Sequence, residues 1–145
     1  MARIPSSEVP QANSLSTVAD LLAVIDVGIE DKQGLVNQFR LVPREVDYYK
    51  QAARILGFAR RRGRRFEISE QGHAFLKVTT PEEKQYILAN AVRDADVFKE
   101  LLRQHDPSKV DKSRVVEFLR EKTDVGGATI GRRASTILAW LKAIS

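Results

Sequence analysis

Apolar residues recur at three- and four-residue steps over most of the chain, and the places where that rhythm fails divide it into parts. From Ser16, residues Val18, Leu21, Leu22 and Ile25 keep helical spacing behind a serine or threonine cap. Leu35, Val36 and Phe39 predict a short second helix opened by acidic residues, which suit the positive end of its dipole, although Gly34 weakens it. After a turn at Pro43, residues Val46, Tyr49, Ala53 and Leu56 form a core stripe, and Arg44, Asp47, Tyr48, Gln51 and Arg54 occupy the opposite face. Gly57 is placed to end this helix through a left-handed cap. The rhythm then changes: "FARRRGRRFEIS" sets Phe58, Phe66 and Ile68 around Gly63, the pattern of a two-stranded hairpin with arginines at its tip and flanks. "SEQGHAFLKV" closes this part as a short helix behind Ser69.

Helical spacing returns after "TTP", where Thr80 caps and Pro81 suits the first helical position. Ile87, Ala91, Ala95, Phe98 and Leu102 predict one long helix through "EEKQYILANAVRDADVFKELLRQ". Val115, Phe118 and Leu119 predict a further helix, "DVGGA" a turn, and "TIGRRASTILAWLKAI" a closing helix. In that last helix Ile130, Ala134, Ile137, Leu141 and Ile144 face inward, and Arg132, Arg133, Ser135, Thr136 and Ala139 outward. The opening "MARIPSSEVPQANSLS" is rich in proline, serine and other polar residues, so residues 1–15 are expected to form a flexible arm or a loosely docked extension. The order helix, helix, helix, hairpin is that of a winged helix. The expected fold is therefore mainly α with a small β-hairpin: an N-terminal winged helix over residues 16–79 and a C-terminal three-helix helix-turn-helix unit over residues 80–145.

Composition narrows the chemistry. With 145 residues, 43% of them apolar, the chain can build a core. It has no cysteine, which excludes disulfides, thiolate metal sites and cysteine nucleophiles, and its two histidines, His73 and His105, stand far apart, so neither metal nor cofactor is expected. No basic-then-apolar leader and no long uncharged apolar run is present, which points to a cytoplasmic protein that does not engage a membrane. The net charge of +5 is unevenly placed: residues 1–43 carry 3 basic and 5 acidic side chains, residues 44–73 carry 8 and 4, and residues 74–145 carry 13 and 10. Most of the excess lies in thirty central residues, which argues for a local anion-binding surface, with nucleic acid the first candidate.

An enzyme finds little support. A metal-dependent nuclease gathers two or three carboxylates and a lysine on strands. The nearest string, "IEDK" at Ile29–Lys32, falls at a helix junction, and "VGGAT" lacks the lysine and spacing of a phosphate-binding loop. No catalytic residue and no small-molecule substrate are expected for this chain.

"PREVDYYKQAARILGFARRRGRRFEISEQGHAFL", taken with "TIGRRASTILAWLKAI", resembles the winged-helix target-recognition or accessory region attached to some type II restriction endonucleases and related prokaryotic DNA-processing proteins. The resemblance spans roughly residues 15–145, and its first part is the more specific. It implies recognition of double-stranded DNA, expected to be sequence-specific, with a nuclease domain or subunit as a partner. The metal-dependent nuclease domain that usually adjoins this region is not found in the chain.

Candidate contacts follow from what DNA offers. Phosphates supply most of the affinity and base edges the sequence information. Among the hairpin residues Arg60, Arg61, Arg62, Arg64 and Arg65, the last four are assigned either to positioning along the backbone or to sensing minor-groove width. Arg44, Tyr48, Gln51 and Arg54 are the candidates for reading a major groove, since arginine pairs with guanine and glutamine with adenine. Glu45 and Asp47 would either accept from cytosine amino groups or pair with the arginines. Arg132, Arg133, Ser135 and Thr136 are the equivalent set on the closing helix, the two arginines alternatively pairing with acids on a neighbouring helix. One of Tyr48 and Tyr49 must pack inward, and Trp140 lies by the apolar stripe. A second class of function remains open, a module that docks on another protein with only nonspecific polyanion binding.

Overall fold

A computed structural model describes residues 3–145; Met1 and Ala2, the first two residues of the expected arm, lie outside the described residues. Its α-helices are α1 (Leu15–Asp26), α2 (Lys32–Phe39), α3 (Pro43–Ile55), α4 (Glu70–Lys77), α5 (Pro81–Asp94), α6 (Asp96–Gln104), α7 (Lys112–Lys122) and α8 (Ile130–Ala143). Strands β1 (Ala59–Arg62) and β2 (Arg65–Ile68) form one antiparallel hairpin between α3 and α4. The chain is thus mainly helical with a small two-stranded hairpin. Among the described residues, no helix is long and apolar enough to cross a membrane.

Local chemistry sets these boundaries. Ser14 caps α1 by accepting from Thr17 N, and Asp31 caps α2 by accepting from Gly34 N. Glu45 caps α3 from inside, its Oε1 accepting from Val42 N at 3.0 Å. That contact fixes the carboxylate on its own backbone rather than on an arginine or a base. Asp47 is held likewise, by Lys32 Nζ at 3.0 Å. Gly57, at φ 79°, ends α3 in the left-handed conformation that the sequence predicts there.

The stripe Val46, Tyr49, Ala53 and Leu56 is buried as expected and packs α3 against α1 and α2. At the base of the hairpin Phe58 stacks on Phe75 of α4, with ring centroids 4.8 Å apart. Ser69 locks the junction: its Oγ donates to Gly57 O and accepts from Gly72 N, while its own N–H donates to Phe58 O. Gly72 is the consequence, since a Cβ there would stand 2.1 Å from Phe58 O. The absence of a side chain at Gly72 is what lets α4 approach the hairpin.

Two expectations are corrected. The predicted long helix is two, because Ala95 adopts an extended conformation (φ −66°, ψ 139°) between α5 and α6. The break re-aims the apolar face: Val97, Phe98 and Leu101 are fully buried, and Phe98 stacks on Trp140 of α8 at 5.5 Å, whereas Ile87, Ala91 and Leu102 are only partly covered. The C-terminal part therefore has four helices, not three, with α7 packed along α8.

The second correction concerns the arm. Residues 3–14 are docked: Ile4, Val9 and Ala12 are buried, Ile4 N donates to Lys122 O, and Asp124 N donates to Ile4 O. Arg3 adds bonds to the carbonyls of Arg120, Glu121 and Thr123 and a 3.0 Å ion pair with Asp124. Prolines and polar residues do not prevent packing when apolar residues lie among them, and here Val9 and Ala12 are buried within the core cluster. The buried residues of both halves form one continuous cluster.

Candidate nucleic-acid interface

The hairpin register pairs Ala59 with Ile68, Arg60 with Glu67, Arg61 with Phe66 and Arg62 with Arg65. Side chains alternate along a strand, so Arg60, Arg62, Arg65 and Glu67 share one face and Arg61 and Phe66 the other. Gly63, at φ 64°, and Arg64 make the two-residue turn, glycine first. All five arginines are exposed. Glu67 Oε1 accepts from Arg60 Nε at 2.7 Å and lies 4.0 Å from Arg62. Those contacts hold the Glu67 carboxyl below its ordinary pKa, the Arg60 hydrogen bond chiefly, with the charges of Arg60, Arg62 and Arg65 adding to it. Arg61, Arg64 and Arg65 have no acidic partner among the described residues.

Arg61 and Phe66 face α3 across a cleft of about 170 Å³ completed by Asp47, Lys50, Gln51 and Arg54. Lys50 was not singled out in the sequence, yet it lies 5.4 Å above the Phe66 ring and donates to Glu30 O. Burial lowers its pKa first, and the nearby charges of Lys32 and Arg61 lower it further against the opposing pull of Asp47 and Glu30. Nothing in the sequence signals this contact, because Lys50 lies on α3 and meets Phe66 only where the hairpin packs against that helix.

The remaining candidates divide sharply. Arg44 is exposed and makes no hydrogen bond or ion pair among the described residues. Tyr49 packs inward, and Tyr48 is half-buried with the Arg132 guanidinium 5.4 Å from its ring centroid, so the two candidate helices meet at this pair. Gln51 Nε2 donates to Ser7 O at 3.2 Å. Arg54 donates to Ser7 O at 2.7 Å and to Glu8 at 2.8 Å. Arg132 reaches Gln11 Oε1 at 2.8 Å, and Arg133 donates to Ser6 O at 2.7 Å and more weakly to Val9 O. Burial, and then the charge of Arg132, lowers the Arg133 pKa.

Thr136 does not face outward as expected. It is fully buried and bonded to Asn13 Oδ1 at 2.6 Å, while Ser135 is exposed and returns its hydroxyl to Gly131 O. Trp140 is fully buried, and its Nε1 donates to Ala12 O at 2.7 Å. Arg132 and Arg133 thus meet the carbonyl and amide oxygens of residues 6–11, not acids of a neighbouring helix. Sequence reading missed Ser7, Glu8, Gln11 and Asn13 altogether, since a polar segment without periodicity gives no sign of where its acceptors point.

Lifting this segment would be costly. Exposing Val9 alone forfeits about 1.5–3 kcal/mol, and a buried indole N–H without a partner costs about 1–3 kcal/mol more. The Arg54–Glu8 pair, whose side chains are 32% and 28% exposed, adds at most about 1 kcal/mol. Among the described residues no group of three or more histidine, aspartate or glutamate side chains is placed to hold a metal ion.

No curated protein and no solved structure matches the chain. A family model does: that of a domain of unknown function, DUF7226, matches residues 17–145, from the first turn of α1 to the last residue, and the chain belongs to that family.

Proposed function

We propose that this chain binds double-stranded DNA in a sequence-dependent way, with α1 to β2 acting as a winged helix, the arginine hairpin as its wing, and α7 and α8 as a helix-turn-helix pair beside it. The reading rests above all on one observation: five exposed arginines on an eight-residue pair of strands and its turn, three of them without an acidic partner among the described residues. Cations left unneutralised by their own protein are what a phosphate backbone requires. The rigid base formed by Phe58, Phe75, Ser69 and Gly72 presents them in a fixed place. The biological setting in keeping with the sequence resemblance is a target-recognition module of a restriction-type nuclease system, working with a separate nuclease domain or subunit.

A docking module for another protein is the second reading, and exposed apolar side chains favour it: Val27 is 79% and Tyr86 70% accessible. A binding selection separates the two. The chain is incubated with a random-sequence duplex pool at near-physiological salt and the retained DNA is sequenced. The DNA reading expects one enriched motif, and no retention would move protein docking to first place.

A further inference from the structure

Most side-chain donors on the faces of α3 and α8 that residues 6–13 cover are bonded by that segment, while Arg133 Nε and Gln51 Oε1 are buried without a hydrogen-bond partner among the described residues. Gln51 and Arg54 bond Ser7 and Glu8, Arg133 bonds Ser6, Thr136 bonds Asn13, and Trp140 bonds Ala12. In each case the segment supplies the acceptor and the helix the donor. A base edge or phosphate reaching those side chains would compete with oxygens already in place. The segment is anchored at both ends of this run, by Ile4 paired with the end of α7 and by Ser14 capping α1, and Val9 between them is fully buried.

Two arginines stand at the rim of the covered area instead. Arg44 lies in the first turn of α3, exposed. Arg132 is exposed with its guanidinium oriented by the Tyr48 ring and by Gln11, which leaves most of its five donors unused. Tyr48 follows Arg44 by four residues, so the two share one face of α3, and Arg132 reaches the Tyr48 ring from α8. An arginine held in a fixed plane is suited to bidentate pairing with guanine.

We propose that residues 6–13 permanently occupy the face that α3 and α8 would otherwise offer to a duplex, and that base selection passes from Gln51 and Arg54 to Arg44 and Arg132. The inference rests on the DNA reading, and the single tryptophan lets the two be told apart. The Trp140 indole N–H gives one resonance, followed while the full chain is saturated with random-sequence duplex. The resonance keeps its position and its slow exchange with solvent if the segment stays in place; fast exchange on saturation overturns the inference. The selection is then repeated with Arg44→Ala, Arg132→Ala and Gln51→Ala. The two arginine variants change the enriched bases and weaken binding to the selected motif more than binding to unselected duplex, and Gln51→Ala enriches the same bases as the unaltered chain. The reverse pattern overturns the assignment, as does retention without enrichment. No binding by the unaltered chain defeats the DNA reading itself, an outcome distinct from a displaced Trp140 signal in a chain that binds.

Discussion

The hairpin and the N-terminal segment are both short and mostly polar, yet they end in opposite situations. The hairpin is carried on a buried base, and its arginines are left in solvent with Glu67 as their one acidic neighbour in the register. The N-terminal segment has only Glu8 as an acid and lies across two helices, its main-chain carbonyls accepting from arginines, a glutamine and an indole and its Asn13 side chain from a threonine. What a partner can reach is therefore set less by where basic residues occur than by which of them the protein has already satisfied. Arg54 and Arg133 count toward net charge as fully as Arg64 does, but only Arg64 is available.

That contrast can be attacked from either side. The largest effect is expected at the hairpin base: Gly72→Ala drives a methyl into Phe58 O and should lower unfolding free energy by about 3 kcal/mol, read by chemical denaturation. On the other side, Val9→Ser exposes no charge but unseats the segment, with an expected loss of about 2 kcal/mol. A near-neutral result would mean that the segment is not part of the core. Smaller again is the effect of Lys50→Met, which keeps the stem beside Phe66 and removes one crowded cation. The thermal midpoint should hold within about 3 °C, while duplex affinity falls by roughly three- to tenfold in a binding titration.

The smallest effect is a pH dependence. Because Glu67 has a folded pKa below its unfolded value, its contribution is complete above the ordinary glutamate pKa of about 4.3 and is lost as pH falls through the folded value. Glu67→Gln should flatten this part of the acid limb of stability, and an unchanged limb would show that the Arg60 pairing contributes nothing.

The hairpin was legible because two signals coincide, alternation of Phe66 and Ile68 and a glycine between arginines, and both express local backbone chemistry. The inward stripe of α3 was legible for the same reason, as was the left-handed Gly57. The break at Ala95 was not, since alanine is the best helix former and the stacking of Phe98 on Trp140 that accompanies the break is a long-range contact. Thr136 was misplaced because its burial depends on Asn13, more than a hundred residues away in sequence. The docked segment escaped for a related reason: Ile4, Val9 and Ala12 follow no period, and long-range contacts alone determine that they are buried.

The most direct test of the central claim is a pair of salt-dependent binding isotherms on one duplex, for the unaltered chain and for Arg62→Ala combined with Arg64→Ala. If the hairpin lies on phosphates, the double variant binds more weakly at every salt concentration, and its slope of log affinity against log salt is shallower by about 1 to 2. Parallel lines, or equal affinities, would contradict the account and leave the arginine hairpin without a role on DNA.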